Sequence, residues 1–167
     1  QGLHINQLSI GYGKPLVKDI EASITKGCFC VLFGANGTGK STLLKTIRGL
    51  VPTIKGYVLL DGKPINAYSS IELAKRVAVV TTEKNIGLGL TVNDLLSFGR
   101  IPYQSIFGAL SQQDVEVIEK YVVKFELSNL LSLQFSSLSD GQKQRVLICR
   151  ALIQDTELIL LDEPTAH

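Results

Sequence analysis

The sequence predicts an α/β fold: a parallel core sheet, an antiparallel pair of strands near the N-terminus and a helical insertion. Three observations predict it. Strand-like and helix-like segments alternate at both ends of the chain. Residues 91–133 are instead mostly helical in pattern. A glycine-rich loop stands between a short apolar run and a helix.

Residues 3–10 and 16–24 read as two strands joined through Gly11-Tyr12-Gly13-Lys14-Pro15. Residues 28–33, Cys-Phe-Cys-Val-Leu-Phe, are almost wholly apolar, which suits a strand buried on both faces. After the glycine-rich loop a helix is expected from Lys40 to Arg48, with Leu43, Leu44 and Ile47 on one face. Gly49 and Pro52 stop it. Tyr57–Leu60 is a strand closed by the turn pair Asp61-Gly62, and Val77–Val80 is a further buried strand. Three helices follow, each opened by a hydroxyl residue with a partner three positions on: Thr91 with Asp94, Ser111 with Asp114, Ser139 with Gln142. They run to Gly99, Phe125 and Ile153, and Val115, Ile118, Val122 and Phe125 line one face of the second. Leu158–Leu161 is the last apolar strand.

A chain of 167 residues fits one modest domain. With 45% hydrophobic and 19% charged residues it is globular rather than disordered. Lys and Arg number 17 against 15 acids, a net charge of +2 with no basic block, so no nucleic-acid partner is expected. No apolar run approaches the roughly 18 residues of a membrane span. His4, Asn6 and Gln7 argue against a secretory leader, so the expected location is cytoplasmic or matrix-like. Cys28, Cys30 and Cys149 are expected to be buried reduced thiols. On a strand the first two would face the same side, poorly placed to pair. With His4 and His167 at opposite ends, no Cys/His metal site is expected.

Gly34-Ala35-Asn36-Gly37-Thr38-Gly39-Lys40-Ser41 matches the phosphate-loop pattern G-x-x-x-x-G-K-[ST]. Glycines let such a loop wrap with its N–H groups turned toward phosphate oxygens. The helix that follows adds its positive dipole end. Lys40 is expected on the β- and γ-phosphates and the Ser41 hydroxyl on Mg²⁺. Asp162-Glu163 closes the last apolar strand, where ligands of open parallel sheets bind. Asp162 suits the Mg²⁺-organising acid of phosphate-loop enzymes, and Glu163 the general base that polarises water. An apolar run ending in acids is alone a weak signal; it is the phosphate loop that gives it weight.

Leu138-Ser139-Asp140-Gly141-Gln142 resembles the L-S-G-G-Q signature of ATP-binding-cassette ATPases, in the order that family has: phosphate loop, signature, acidic strand. The resemblance covers essentially the whole chain. It implies a phosphate-loop nucleoside triphosphatase (P-loop NTPase) fold that binds ATP and Mg²⁺, with residues 1–84 and 134–167 as catalytic core and β subdomain and 85–133 as helical subdomain. Gly34, Asn36, Gly37, Thr38, Gly39, Lys40, Ser41 and Thr42 would hold the nucleotide. Tyr12 would stack on adenine, or be a surface tyrosine of its turn. Ser139, Gly141 and Gln142 would reach the γ-phosphate held by a second copy in a head-to-tail dimer. Without the family, Ser139 and Gln142 read as a capping box.

Two departures stand out. Asp140 replaces the first glycine of the signature and is expected to face away from phosphate. Thr82 stands where the family has a glutamine on Mg²⁺ and water, and a threonine hydroxyl reaches less far. His167 comes too early to be the family's switch histidine. The chain is expected to be about two-thirds of a cassette, a piece with weak or no turnover of its own.

Gly99-Arg100-Ile101-Pro102-Tyr103 resembles a pattern in ATPase subunits of bacterial importers for iron chelates (siderophores), haem and vitamin B12. There the region meets the permease. A helix ended by Gly99 with Pro102 beyond is the other reading. The resemblance implies an importer ATPase that is cytoplasmic and peripheral on the inner face of the cell membrane, with membrane permease subunits as partners. A soluble cassette ATPase on ribosomes or DNA, or an inactive nucleotide-binding fragment, is the alternative.

Overall fold

The computed structural model describes residues 2–81, 89–104 and 108–162. The chain forms two compact units, Gln1–Leu73 and Ala74–His167.

The first unit is built on an antiparallel sheet of order β2-β1-β3-β4. Strands β1 (Gly2–Tyr12) and β2 (Lys14–Thr25) form a hairpin whose pairing continues to Tyr12 opposite Lys14. The turn therefore closes on Gly13 alone, at φ 74°, where glycine bears no steric penalty. Leu3, Ile5, Leu8 and Ile10 of β1 are buried, as befits an inner strand, whereas the edge strand β2 is largely exposed. Strands β3 (Lys55–Leu60) and β4 (Lys63–Pro64) turn through Asp61 and Gly62, at φ 50° and 81°. Two positive φ values make the type I′ turn that matches strand twist, as Asp-Gly predicts.

Helix α1 (Lys40–Ile47) buries Thr42, Leu43, Thr46 and Ile47. Its inward face is thus rotated from the expected one, and Leu44 is only half-buried. The Thr46 hydroxyl donates to the Thr42 carbonyl at 3.0 Å, which satisfies it inside the core. Gly49, at φ 71°, ends the helix as expected.

The strand expected at 28–33 does not form. Residues 28–35 carry no regular structure, and Phe29 and Phe33 are 86% and 88% exposed. An apolar strand needs hydrogen-bonded neighbours and covering layers. In the first unit's sheet, of order β2-β1-β3-β4, no strand pairs with this segment. The cysteine expectation fails with it: Cys28 and Cys30 are exposed, and only Cys149 is buried.

The second unit holds the parallel pair β5 (Val77–Thr81) and β6 (Leu158–Asp162), in register from Val77–Leu158 to Thr81–Asp162. Between them run α2 (Ser70–Ala74, which straddles the boundary), α3 (Val92–Ser97), a 3-10 turn (Phe98–Tyr103), α4 (Gln112–Lys124) and α5 (Asp140–Ile153). Reciprocal capping boxes open α3, α4 and α5 at Thr91, Ser111 and Ser139, the three residues expected. Ala78 and Val80 of β5, Leu95 and Leu96 of α3, Ile118 and Val122 of α4, and Val146, Cys149 and Ile153 of α5 share one core. Strand β6 is covered on one face only: Leu160 is buried, whereas Ile159 and Leu161 are exposed. The parallel pair, the antiparallel N-terminal sheet and the intervening helices make the mixed α/β fold that the residue pattern predicts.

Candidate phosphate-binding site

Residues 34–41 form an exposed loop that enters α1. Gly37 and Gly39 lie at φ 79° and 96°, a region that side-chain-bearing residues rarely adopt. A Cβ at Gly39 would also stand 2.7 Å from Cγ2 of Val17, so β2 seats the loop from beneath. The Thr38 hydroxyl donates to the Ala35 carbonyl at 2.8 Å and staples the loop across its mouth. Lys40 Nζ donates to the carbonyls of Gly34 and Ala35, each at 2.8 Å. The ammonium is thus curled over the loop that is expected to hold phosphate.

The start of α1 differs from that of α3, α4 and α5. Its cap residue is Gly39, in the left-handed region, with no side-chain hydrogen bond and no acid in the first turn. Gly39 thus offers the leading amides no side-chain cap. Such an end attracts an anion through its N–H groups and dipole. Ser41 and Thr42 follow directly, Ser41 half-buried and Thr42 buried. Asn36 and Tyr12 are exposed.

In the second unit Asp162 sits at the carboxyl end of β6, opposite Thr81 at the carboxyl end of β5. Glu163, Thr82 and His167 lie outside the described residues. Ser41 and Asp162 offer hydroxyl and carboxylate oxygens, hard donors that suit Mg²⁺.

At the start of α5, Ser139 and Gln142 are bonded to each other. The Ser139 amide donates to Gln142 Oε1 at 2.9 Å, and the Gln142 amide donates to Ser139 Oγ at 3.3 Å. Gly141 has open space where a Cβ would stand. Asp140 leans back along the helix toward Lys143, with Oδ1 at 4.0 Å from Nζ.

The pattern Gly99–Tyr103 has a role that sequence alone does not reveal. The helix does not stop at Gly99; α3 ends at Ser97 and a 3-10 turn carries on to Tyr103 with Pro102 inside it. Gly99 and Arg100 are buried, Arg100 at 6% exposure, while Phe98 and Ile101 face outward. Arg100 Nε donates to Asp114 Oδ1 at 2.7 Å. Burial pushes the Asp114 carboxyl up. The Ser111 hydroxyl and Arg100 hydrogen bonds, with the Ser111 amide and the Arg100 charge, outweigh it and hold the group below its ordinary value.

The ABC transporter family profile matches residues 17–166. The chain belongs to the ABC transporter family. It is 42% identical over 166 residues to the iron(3+)-hydroxamate import ATP-binding protein FhuC of Bacillus subtilis, covering 99% of this chain and 62% of that protein. It is 38% identical over 160 residues to the ferric enterobactin transport ATP-binding protein FepC of Escherichia coli, covering 95% of this chain and 59% of that protein. An inward-facing ABC transporter described as of metal-chelate type superposes with a TM-score of 0.80 at 28% identity, over 98% of this chain and 60% of that one. The chain therefore spans about three fifths of the length of these relatives. The family is one of nucleotide-binding cassettes, in accord with the uncapped loop end at Gly39.

Proposed function

We propose that the protein to which this chain belongs binds and hydrolyses ATP to drive import of an iron-siderophore or related metal chelate. The observation that carries the ATP reading is the start of α1: a left-handed glycine cap with no side-chain hydrogen bond, no acid in the first turn, and Lys40 on the loop carbonyls. Phosphate oxygens entering the loop would take those amides and draw Lys40 off its two carbonyls. Gly34, Asn36, Gly37, Thr38, Gly39, Lys40, Ser41 and Thr42 are the binding residues, and Tyr12 the adenine support. Ser41 and Asp162, with Thr82, would hold Mg²⁺, which when bound neutralises charge on the β- and γ-phosphates. Glu163 accepts the proton of the attacking water. Ser139, Gly141 and Gln142 close on the γ-phosphate from a second copy, in a head-to-tail dimer. Residues 85–133 form the helical subdomain.

The chelate reading rests on the likeness to the iron(3+)-hydroxamate and ferric enterobactin ATP-binding proteins and on the resemblance at Gly99–Tyr103. No helix among the described residues is long and apolar enough to cross a membrane. Transport then requires permease subunits, with this protein peripheral on the membrane's inner face. The test is ATP turnover by the intact subunit. Glu163→Gln is expected to abolish turnover and to leave ATP binding intact. Persistent turnover in that variant removes Glu163 as the base, and an intact subunit that neither binds nor hydrolyses ATP removes the function.

A further inference from the structure

The 3-10 turn Phe98–Tyr103 is locked onto the far end of the helix that carries the signature residues. Three contacts make the lock. Arg100 Nη1 donates to the Ile153 carbonyl, in the last turn of α5, at 3.0 Å. The Arg100 guanidinium stacks on Tyr103 with 3.9 Å from its central carbon to the ring centroid. The Tyr103 hydroxyl donates to the carbonyls of Gln154 and Asp155, at 3.0 and 3.3 Å. Carbonyls at the C-terminal end of a helix have no partner within it, so Arg100 and Tyr103 cap α5 from another element. Gly99 fixes the register, because a Cβ there would stand 2.8 Å from the Arg150 carbonyl.

Asp114 completes the arrangement. It spends one carboxylate oxygen on Arg100 and the other on the amide and hydroxyl of Ser111, at 2.9 and 2.6 Å. One buried ion pair thus ties the start of α4, the 3-10 turn and the end of α5 together. Its cost in desolvation is large, and apolar side chains of similar size would hold the same elements as firmly. What an ion pair with fixed directional bonds adds is a unique register.

We infer that Arg100 and Asp114 are positioning residues that set the placement of the signature turn through α5. The helix has 14 residues, a rod of about 21 Å, with the clamp at one end and Ser139–Gln142 at the other. A rod held at its C-terminal end by two side-chain caps and a steric stop presents its N-terminal turn at a defined height and angle. A slip at the clamp becomes a displacement at the γ-phosphate contact. A misplacement of about 1 Å there costs up to a hundredfold in rate.

The turnover arm of the test rests on the proposed function; the exchange arm does not. Two variants of the intact protein suffice: Arg100→Lys, which keeps the charge but loses the fork, and the pair Arg100→Met with Asp114→Leu, which keeps the packing. Expected in both is a fall in kcat of about tenfold, with KM for ATP changed less than about twofold and the melting temperature lowered only by the few degrees that lost caps cost. Deuterium exchange at the amides of residues 140–143, measured without nucleotide, is expected to quicken in both. Unchanged exchange at 140–143 overturns the inference, whether or not the protein turns over ATP. So does a kcat that stays put, or a parallel collapse of kcat, KM and melting temperature in both variants, which marks a merely structural pair. Failure of the unsubstituted protein to hydrolyse ATP sinks the proposed function, and the exchange result then decides the clamp by itself.

Discussion

Gly99→Ala reverses the sign that local propensity assigns to it. Gly99 does not need a glycine for its own backbone, since its φ is not positive. At such a site Gly→Ala normally stabilises by about 0.4–1 kcal/mol, by restricting the unfolded chain. The structure opposes this. The new methyl would stand 2.8 Å from the Arg150 carbonyl and 2.9 Å from Cγ2 of Ile153. The carbonyl already accepts from the Gln154 amide at 3.2 Å and belongs to a rigid helix, so it cannot step aside cheaply. Overpacking of this kind costs about 1–3 kcal/mol. At the middle of both ranges the net expectation is a loss of about 1.3 kcal/mol, or about 3–5 °C in melting temperature. Urea and thermal melts of the intact protein measure it. Gly141→Ala is the control: also in a helix, also without positive φ, but with nothing within 4 Å of the new methyl. It should melt at the same temperature or slightly higher. A Gly99→Ala protein as stable as its parent would refute the close approach of turn and helix.

Two further outcomes follow from particular side chains. Burial pushes the Cys149 thiol up to about 12. The unfolded thiol ionises near pH 9, so stability is full below that and drains as pH rises toward 12, by up to about 4 kcal/mol. Cys149→Ala should flatten this alkaline decline in melts between pH 8 and 11, and thiol reagents should label Cys28 and Cys30 long before Cys149. Gly39→Ala places a side chain at φ 96° against Val17. It should cost about 1–2 kcal/mol in stability and sharply weaken binding of a fluorescent ATP analogue, measured by titration of the intact subunit.

What could be read from the residues was whatever local chemistry decides. Three hydroxyl-plus-three caps, the Asp61-Gly62 turn and the Gly49 stop depend on neighbours a few positions away, and all formed. The bend of the loop at 34–41 was legible for the same reason, since Gly37 and Gly39 take positive φ and Lys40 turns back onto the carbonyls of Gly34 and Ala35. The strand at 28–33 was not decided locally. Its apolarity states what the segment tolerates, not which strands flank it, and within its unit none does. Arg100 escaped for a related reason. Beside a glycine and before a proline it looks like a surface loop residue, and its partners at Asp114 and Ile153 are 14 and 53 positions away. Asp114 was recognised as a cap, but one carboxylate serves two purposes and only the nearer one leaves a trace in sequence spacing.

The two helix starts proposed to meet phosphate solve their hydrogen-bonding problem in opposite ways, and the difference has a functional sense. A side-chain cap is worth about 1 kcal/mol. α5 carries a reciprocal side-chain cap, the Ser139 hydroxyl on the Gln142 amide and the Gln142 side chain on the Ser139 amide, so it gives up only that modest energy when a phosphate displaces the cap. α1 has no such substitute: Gly39 contributes no side chain, and Lys40 is held by two neutral carbonyls rather than a carboxylate. On the proposed reading, nucleotide therefore engages the loop at 34–41 first and strongly, because no side-chain cap at Gly39 has to be displaced and Lys40 exchanges neutral carbonyls for charged phosphate oxygens. The signature turn comes second and weakly, because it must exchange one satisfied arrangement for another. A weak second contact is what a cycle of opening and closing requires, since a dimer sealed by two uncapped helix ends would be slow to reopen.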